Sequence, residues 1–414
     1  MKKKILKAMI AAEIIVIAVL LFGFLSSIKI FSEPKVILVT FDGFRWDYLD
    51  NTDTPNFDRL IGSGVKAESL IPVFPSRTGP NYYSIITGLY PENHGIIANA
   101  MYDEKHNLWF KTKKESEAMG ESFWYEGEPI WSTVEKSGKK SAIMFWIGSE
   151  AEIAGYRPSY WFEYDHYFPN EDRIKQVLEW LDLPRKERPD FIAVYFSFID
   201  STGHKYGPDS SEISEAVREA DRLLGEILAG LEKRNILEKT NLIILSDHGM
   251  TTISPEKTIN LDEYIDSGKI TIPNMSPFMD MMGEDSELDY AYEKLKGAHP
   301  NLSIYLKEEI PEEYHYSKHN RISRIIGIAD LGWSIIQNDT KEKYSLNGGN
   351  HGYDPKYRDM HGIFIAAGPS FKENVTLKSF QNIQVYNILA EIMNIEPAPN
   401  DGNLSNVSYM LKNE

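Results

Sequence analysis

The sequence predicts an α/β protein with a doubly wound, mostly parallel sheet and helices on both faces. The first observation is a set of apolar, β-branched runs at residues 36–41, 191–199 and 242–245, typical of strands buried on both faces. The second is that segments with apolar residues at helical spacing separate these runs. Alternating strands and helices predict parallel strands joined by right-handed crossovers.

The predicted elements follow one another along the chain. They are a strand at 36–41, a helix from Thr54 to Gly62 or Gly64, a strand, turn and helix at 70–89, a strand at 141–146, a helix at 171–183, a strand at 191–199, a helix at 211–234 and a strand at 242–245. Residues 255–345 are less regular and predict a smaller inserted lobe. Residues 362–367 return to the main sheet, and 384–393 form the last helix. We therefore expect residues 32–414 to be a single domain.

Length and composition limit the classes of protein. The 414 residues are enough for one large α/β domain. The net charge of −17, from 44 basic and 61 acidic residues, argues against a nucleic-acid-binding surface. The chain has no cysteine, so disulfides are excluded and any metal ion must be held by histidine and carboxylate side chains.

Residues 1–31 predict a membrane anchor or signal segment followed by a linker. Lys2–Lys4 precede an apolar segment that, counted from Ile5 to Ile28, is long enough to cross a bilayer. No small-residue cleavage site follows it, which favours an uncleaved anchor over a removed signal peptide. The leading lysines predict that the remaining chain lies outside the cytoplasm, at the cell surface or in the periplasm, or is secreted if the segment is cleaved.

The stretch Phe74–Ile97 predicts the end of a strand, a tight turn and a helix. Thr78 stands between Pro75 and the pair Gly79–Pro80, where the helical pattern begins. Free backbone N–H groups and the helix dipole favour an anion at such a position. A threonine there is often only a helix cap, but its hydroxyl becomes a nucleophile if a neighbouring group takes its proton.

Three predicted strands each end in an aspartate, namely Asp42, Asp200 and Asp247. In open parallel sheets, ligands bind beyond the carboxyl ends of the strands, so we expect these three carboxylates to converge. Taken singly, each aspartate is better explained as a turn or cap residue after a strand. The histidines that accompany them change that balance.

Three histidines stand out in the sequence, two shortly after these aspartates and one in a separate downstream motif. His204 follows Asp200 by four residues, His248 directly follows Asp247, and His351 lies in a Gly-Asn-His-Gly-Tyr-Asp motif. Three aspartates and three histidines are too many for one tetrahedral ion and fit two. The nitrogen donors favour zinc over magnesium.

Six motifs resemble those of the nucleotide pyrophosphatase/phosphodiesterase (type I phosphodiesterase) family, within the alkaline phosphatase superfamily. They are VTFDGFR, FPSRTGPNYYSIITGLYPENHGII, WYEGEPIW, DSTGHKYGP, SDHGM and NHGYD. They occur in the order of the family, and the likeness extends from Val36 to the last helix. The resemblance implies an alkaline phosphatase-like fold and a zinc-dependent hydrolase of phosphodiester or pyrophosphate bonds in nucleotides or related phosphodiesters.

The resemblance also implies roles for individual residues. One zinc ion would be held by Asp42, Thr78, Asp247 and His248, and the other by Asp200, His204 and His351. Thr78 would be the nucleophile and form a phosphothreonine-type intermediate. Asn81 and the backbone of Gly79 would donate hydrogen bonds to the phosphoryl group, and Tyr164 would stack on a nucleobase. Gly79 departs from many nucleotide-cleaving members, which have phenylalanine there, so recognition of the base stays open.

Three other functions remain as alternatives. The same metal chemistry could serve a phospholipid head group, a phosphonate or a phosphate monoester. A catalytically inactive surface protein is a second alternative, against which the complete set of metal ligands argues. A sulfatase is suggested by Pro75-Ser76-Arg77, but the chain has no cysteine to convert into the sulfatase nucleophile. We expect a small-molecule substrate as the principal partner, and the sequence leaves the oligomeric state open.

Overall fold

A central sheet of eight strands organises the computed structural model, which describes residues 35–112, 117–338 and 346–412. The strands are β1 Lys35–Phe41, β2 Gly64–Ala67, β3 Leu70–Ile71, β4 Ala100–Asp103, β5 Leu108–Lys111, β6 Ser141–Met144, β7 Tyr160–Phe162, β8 Phe191–Phe196, β9 Thr240–Leu245, β10 Thr251–Ile253, β11 Thr258–Asn260, β12 Phe278–Met281, β13 Leu302–Leu306, β14 Ile325–Ala329, β15 Ser334–Ile336, β16 Gly348–Asn350, β17 Phe364–Ala367, β18 Val375–Leu377 and β19 Phe380–Gln381. The α-helices are α1 Pro55–Gly62, α2 Thr78–Thr87, α3 Pro91–His94, α4 Ile130–Lys136, α5 Asn170–Asp182, α6 Phe198–Tyr206, α7 Ser211–Lys233, α8 Asp285–Leu295 and α9 Gln384–Ile392.

The central sheet has the order β18-β2-β17-β9-β1-β8-β6-β7. Of these eight strands only β17 runs antiparallel to its neighbours. Nearly every residue of β1, β8 and β9 is buried. Because successive side chains of a strand point to opposite faces, both faces of the sheet are covered. This confirms the predicted α/β class and explains why these strands appear in the sequence as continuous apolar runs.

The carboxyl ends of β1, β8 and β9 are neighbours because β1 pairs in parallel with both other strands. Asp42 directly follows β1, and Asp247 lies two residues beyond β9. The predicted strand at 191–199 is shorter than expected, since β8 ends at Phe196 and α6 begins at Phe198. Asp200 therefore lies in the first turn of a helix, with its apolar neighbour Ile199 fully buried.

The region predicted as an inserted lobe contains β11 to β15 and α8, with an apolar core of its own. This core includes Ile259, Met279, Leu288, Ile304 and Ile325. Strands β12, β14 and β13 form an antiparallel sheet, and β11 pairs with β15. The main core and this smaller core both belong to one compact unit, Lys35–Glu414.

Within residues 35–112, 117–338 and 346–412, no helix has the length and apolar character needed to cross a bilayer. The predicted anchor or signal segment at residues 1–31 lies outside the described residues.

Candidate active site

Thr78 is the first residue of α2 and lies at the carboxyl edge of the central sheet. Arg77 occupies the N-cap position in an extended conformation, and no side chain caps the helix. The Thr78 hydroxyl instead donates toward His248 Nε2, which lies 3.3 Å from Thr78 Oγ1. The helix-cap alternative for Thr78 is therefore not what the structure shows.

Two groups of carboxylate and imidazole side chains lie in this part of the protein, and one of them includes His248. In the first group, His248 Nε2 lies 3.3 Å from Asp42 Oδ1 and 3.2 Å from Asp247 Oδ2. In the second group, Asp200 Oδ1 lies 3.4 Å from His204 Nε2 and 3.6 Å from His351 Nε2. Within each group one ligand atom per residue lies within 4.8 Å of the others.

The two groups are adjacent. The rings of His248 and His351 stack with their centroids 3.6 Å apart and an interplanar angle of 12°. Asp200 and His204 come from the same face of α6, since residues four apart in a helix are neighbours. The structure thus brings together all six predicted side chains, although Asp200 lies in a helix and not at the end of a strand.

Each histidine of the two groups is held by its other ring nitrogen. His204 Nδ1 lies 2.9 Å from the carbonyl oxygen of Gly349, His248 Nδ1 lies 2.8 Å from that of Gly249, and His351 Nδ1 lies 2.9 Å from that of Ser76. A carbonyl oxygen can only accept, so each Nδ1 carries the proton. Each Nε2 therefore presents a lone pair to its group, as metal-ligating histidines do.

Two of the aspartates are likewise held by one carboxylate oxygen while the other oxygen has no partner. Asp42 Oδ2 accepts a 2.6 Å hydrogen bond from the Tyr195 hydroxyl, and Asp247 Oδ1 accepts a 3.4 Å bond from the backbone N–H of Gly43. The remaining oxygens, Asp42 Oδ1 and Asp247 Oδ2, are buried without a hydrogen-bond partner, as is Asp200 Oδ1. Buried carboxylate oxygens without a partner are costly unless a cation neutralises them.

The ionisation of these groups points the same way. Burial raises the pKa of Asp42 well above its usual range, and the neighbouring charges of Asp247 and Asp200 raise it further. Burial also raises the pKa of Asp247. Burial, together with His248 and His204, lowers the pKa of His351 well below its usual range. Two carboxylates that resist ionisation, beside the His351 imidazole that resists protonation, form a site that a divalent cation would stabilise.

A cavity of about 250 Å³ opens beside Thr78. Its lining includes Thr78, Gly79, Asn99, Tyr164, Tyr195 and Asp200. Among the described residues that line it, none is lysine or arginine. An anionic substrate would therefore depend on bound cations for its counter-charge.

Asn81 does not line this cavity. Its side chain is fully buried, where Nδ2 donates to the carbonyl oxygens of Pro75 (3.0 Å) and Arg77 (2.8 Å). Its Oδ1 accepts a 2.7 Å bond from the backbone N–H of Val73. These bonds fix the turn that precedes Thr78. The prediction that Asn81 binds a phosphoryl oxygen does not fit this geometry, because the amide has no donor left for a ligand.

Asn99 occupies the position expected of Asn81. The backbone N–H of Gly79 donates a 2.8 Å hydrogen bond to Asn99 Oδ1, which leaves the Asn99 amide nitrogen as the available donor. The predicted backbone donor at Gly79 is therefore already engaged within the protein. A Cβ at Gly79 would lie 2.9 Å from Asn99 Oδ1 and 3.3 Å from Thr112 Cγ2, so a larger residue here would have to displace the Asn99 side chain. Asn99 lies two residues beyond the quoted motif ending at Ile97.

Tyr164, which the family resemblance assigns to base stacking, lines the same cavity as Thr78. Its backbone N–H donates to Glu150 Oε1 (2.9 Å), and its ring meets that of Phe145 edge to face at 5.8 Å. His166 lines the cavity as well, with Nδ1 3.2 Å from the Tyr164 hydroxyl. Stacking of Tyr164 on a base remains a prediction.

Sequence reasoning missed Arg173, which supports this wall of the cavity from α5. Its guanidinium is buried and donates to the backbone carbonyl oxygens of Tyr195 (2.5 Å), Phe168 (3.1 Å) and Asp165 (3.3 Å). It thereby ties the segment that follows Tyr164 to the end of β8. An arginine in an amphipathic helix is usually solvent-exposed, so the sequence pattern carried no indication of this role.

The fold and the site together define the class of alkaline phosphatase-like hydrolases. The sequence model of the family described as type I phosphodiesterase/nucleotide pyrophosphatase matches residues 36–354. Human ectonucleotide pyrophosphatase/phosphodiesterase family member 5 is 38% identical over 379 residues, which cover 92% of this chain and 78% of the human protein. The chain belongs to the type I phosphodiesterase/nucleotide pyrophosphatase family.

Other relatives are longer or have solved structures. A venom phosphodiesterase of Crotalus durissus collilineatus is 38% identical over 394 residues, which cover 92% of this chain and 47% of the venom protein. The chain thus spans about half the length of that relative. An inactive threonine-to-alanine variant of murine family member 5, in complex with AMP, superposes with a TM-score of 0.88 at 36% identity, covering 92% of this chain and 100% of the murine chain. Human family member 5 gives a TM-score of 0.87 at 38% identity, with the same coverage.

Proposed function

We propose that this protein is a two-zinc hydrolase that cleaves phosphodiester or pyrophosphate bonds of nucleotides through a covalent intermediate on Thr78. The observation that carries the proposal is the set of uncommitted ligand atoms. Three histidine Nε2 atoms and three aspartate oxygens form two adjacent groups, one of which contacts the Thr78 hydroxyl through His248. Protein hydrogen bonds hold all three imidazoles and two of the carboxylates by their other polar atom.

The donor set fits two zinc ions. Nitrogen and oxygen donors in buried groups suit zinc, and a chain without cysteine offers no competing thiolate site. One ion would be held by Asp42, Thr78, Asp247 and His248, and the other by Asp200, His204 and His351. The two cations would neutralise the phosphoryl oxygens and the departing oxygen, and would lower the pKa of the Thr78 hydroxyl.

The protein residues around the cations would position and attack the substrate. The Thr78 hydroxyl would lose its proton, and Oγ1 would attack phosphorus and displace the leaving-group oxygen, which gives a phosphothreonine-type intermediate that still carries the nucleoside. Water would then break the bond between Oγ1 and phosphorus, release the nucleoside monophosphate and restore the hydroxyl. The Asn99 amide nitrogen would donate to a phosphoryl oxygen on which negative charge develops. Tyr195 would keep Asp42 in its ligating orientation through their short hydrogen bond.

The retained part of the substrate is proposed to be a nucleoside monophosphate. The murine relative with AMP bound supports this, as does the aromatic wall of the cavity, in which Tyr164 would stack on the base. Because Gly79 provides no second ring, stacking would come from one side. The alternative of a phospholipid head group, a phosphonate or a phosphate monoester is kept as an outcome of the following test.

The purified protein should be assayed with three chromogenic substrates that share a nitrophenyl leaving group. These are the nitrophenyl ester of a nucleoside monophosphate, nitrophenyl phosphocholine and nitrophenyl phosphate. The proposal predicts the highest kcat/KM for the nucleotide ester. A higher kcat/KM for either of the other two substrates would contradict the proposed nucleotide substrate and would favour the class of that substrate instead.

Replacing Asn99 and Asn81 by alanine, one at a time, distinguishes a role in catalysis from a role in stability. Asn99→Ala is expected to lower kcat about 10²–10³-fold, because a donor to the developing phosphoryl charge is lost. Asn81→Ala is expected to lower the free energy of unfolding by on the order of 3 kcal/mol, because buried backbone groups around the turn lose their partners. Steady-state kinetics measures kcat, and urea denaturation measures the free energy of unfolding, for both variants. A fully active Asn99→Ala enzyme would contradict the role given to Asn99.

We further propose that residues 32–414 form one catalytic domain, with 255–345 as its inserted lobe, and that this domain works outside the cytoplasm. The apolar segment within residues 1–31 would anchor it to the membrane. The relatives include enzymes named as ectonucleotide and venom phosphodiesterases, which supports an extracellular site of action. Protease added to intact cells or spheroplasts should remove the activity, and full protection would contradict this topology.

A further inference from the structure

A short segment of the inserted lobe, residues 274–280, joins the lobe to the rest of the domain. Phe278 belongs to the main apolar core, whereas its neighbour Met279 belongs to the core of the lobe. Successive side chains of a strand point to opposite faces, so the start of β12 packs into both cores. The segment also carries two buried polar residues, Asn274 and Asp280, each of which is 3% exposed. The proposed function gives neither of them a role.

The Asn274 side chain pairs with the backbone of Ala100, the residue that follows Asn99. The Ala100 N–H donates to Asn274 Oδ1 (3.3 Å), and Asn274 Nδ2 donates to the Ala100 carbonyl oxygen (2.7 Å). Ala100 begins β4, which forms a two-stranded sheet with β5. Because a side-chain amide offers both a donor and an acceptor, Asn274 pairs with Ala100 as the backbone of a further strand would. This contact connects the lobe to the proposed phosphoryl donor.

The peptide group between Asn99 and Ala100 is held at both ends. Its carbonyl oxygen accepts a 3.0 Å hydrogen bond from the backbone N–H of Thr112, and its N–H donates to Asn274. Because a peptide group is planar, these two bonds fix the direction in which the Asn99 side chain leaves the backbone. Asn99 Oδ1 in turn accepts from the Gly79 N–H. The Asn99 amide nitrogen is thereby held in one orientation at the catalytic cavity.

Asp280 fixes the orientation of Asn274. Asp280 Oδ1 accepts from the backbone N–H of Asn274 (3.0 Å) and from its Nδ2 (2.9 Å), and Asp280 Oδ2 accepts from the Ser323 hydroxyl (3.2 Å). The two hydrogens of Asn274 Nδ2 are therefore used, one on Ala100 and one on Asp280. Rotation of the Asn274 amide would break at least one of these buried bonds, which is costly.

The same segment contacts the residue that precedes the proposed nucleophile. Arg77 Nη2 donates to the carbonyl oxygens of Ser276 (2.8 Å) and Phe278 (3.2 Å). Residues 274–280 thus contact the residue before the nucleophile and the residue after the phosphoryl donor. Attack on phosphorus requires a precise separation of these two groups, and a displacement of about 1 Å can lower a rate about 10²-fold.

We propose that Asn274 is a positioning residue for phosphoryl transfer and that it acts through Ala100 on the Asn99 amide. Asn274 is not among the described residues that line the catalytic cavity, so its effect is indirect. It keeps the Asn99 amide nitrogen where negative charge develops on the phosphoryl group, and Asp280 keeps Asn274 in place. This inference rests on the proposed function, which makes Asn99 the donor.

A double-variant experiment tests the route from Asn274 to Asn99. Asn274→Ala is expected to lower kcat for the nitrophenyl ester of a nucleoside monophosphate about tenfold and to leave KM within about twofold, because the donor acts in the transition state. In the Asn99→Ala protein, adding Asn274→Ala is expected to change kcat by less than about twofold, since no donor is left to position. Losses that multiply would show that Asn274 acts independently of Asn99 and would overturn the proposal.

A second variant and a matched control separate positioning from stability. Asn274→Leu keeps roughly the size of the side chain and is expected to lower kcat as much as Asn274→Ala, since both lose the bonds to Ala100. Asn260→Ala is the control, because Asn260 is a buried asparagine of the lobe whose amide bonds to Asn338 and Asp262. It is expected to keep kcat within about twofold, even if urea denaturation shows lower stability. Zinc content is expected to match wild type in all three variants.

Conservative substitution of Asp280 tests the last contact. Asp280→Asn keeps an acceptor for Asn274 and is expected to keep kcat within about twofold of wild type, whereas Asp280→Ala is expected to be as slow as Asn274→Ala. An Asp280→Asn enzyme as slow as Asp280→Ala would contradict this route. Unchanged kcat in both Asn274 variants, or failure of both to fold, would overturn the positioning role and leave the proposed function intact. A wild-type enzyme that does not cleave the nucleotide ester would overturn both.

Discussion

Thr78→Ala is expected to give a folded, metal-loaded protein whose kcat is lower by about 10⁴–10⁶-fold. The substitution removes the hydroxyl that lies 3.3 Å from His248 Nε2. It removes no helix cap, because Arg77 occupies that position. Stability should therefore change little, and the free energy of unfolding measured by urea denaturation should stay within about 1 kcal/mol of wild type.

Thr78→Ser and the stereochemistry at phosphorus test the same step independently. Thr78→Ser retains the hydroxyl and is expected to keep part of the activity. A phosphothreonine intermediate requires two in-line displacements, which give net retention of configuration at a chiral phosphorothioate diester. Direct attack by water would give inversion. Inversion, or an active Thr78→Ala enzyme, would rule out Thr78 as the nucleophile.

The sequence predicted the central sheet well because the physics of that sheet is local. A strand buried on both faces must be apolar throughout, and β1, β8 and β9 therefore appear as continuous apolar runs. Parallel strands bring their carboxyl ends to one edge, which is why polar residues after β1 and β9 meet. Pairing of neighbouring strands thus turned positions far apart in sequence into one site.

The error at β8 arose because burial does not distinguish the end of a strand from the first turn of a buried helix. Phe198 and Ile199 continue the apolar run of β8, yet they belong to α6. The spacing from Asp200 to His204 carried the missing information, since four residues is a helical interval that brings two ligands to one face. In a strand, the same interval would separate the two side chains by more than 12 Å, as an order-of-magnitude estimate.

The prediction of Asn81 instead of Asn99 as the residue near the phosphoryl group has a different cause. Asn81 stands three residues after Thr78 and therefore lies close to it in the helix, but its amide is consumed by the turn. Asn99 reaches Gly79 only because the chain folds back before the hairpin of β4 and β5. A contact of this kind depends on tertiary structure, and no local pattern in the sequence encodes it.

Removal of metal is expected to abolish activity, and elemental analysis of protein purified without chelator is expected to show about two zinc ions per chain. The reason is the charge of the site, in which Asp42, Asp200 and Asp247 each keep a buried oxygen without a partner. Without cations these carboxylates would repel both one another and a phosphate substrate. Dialysis against chelator followed by zinc should restore turnover, whereas magnesium alone should not.

Single-ligand variants show whether the two groups bind metal separately. His351→Ala is expected to lower the zinc content by about one ion, since it removes a ligand of the Asp200 group but none of the Asp42 group. His299→Ala, a histidine of the lobe outside both groups, is the control and should keep two ions. A wild-type protein that binds one ion, or only magnesium, would exclude the two-zinc mechanism, and its single site would then have to be located by repeating the ligand substitutions.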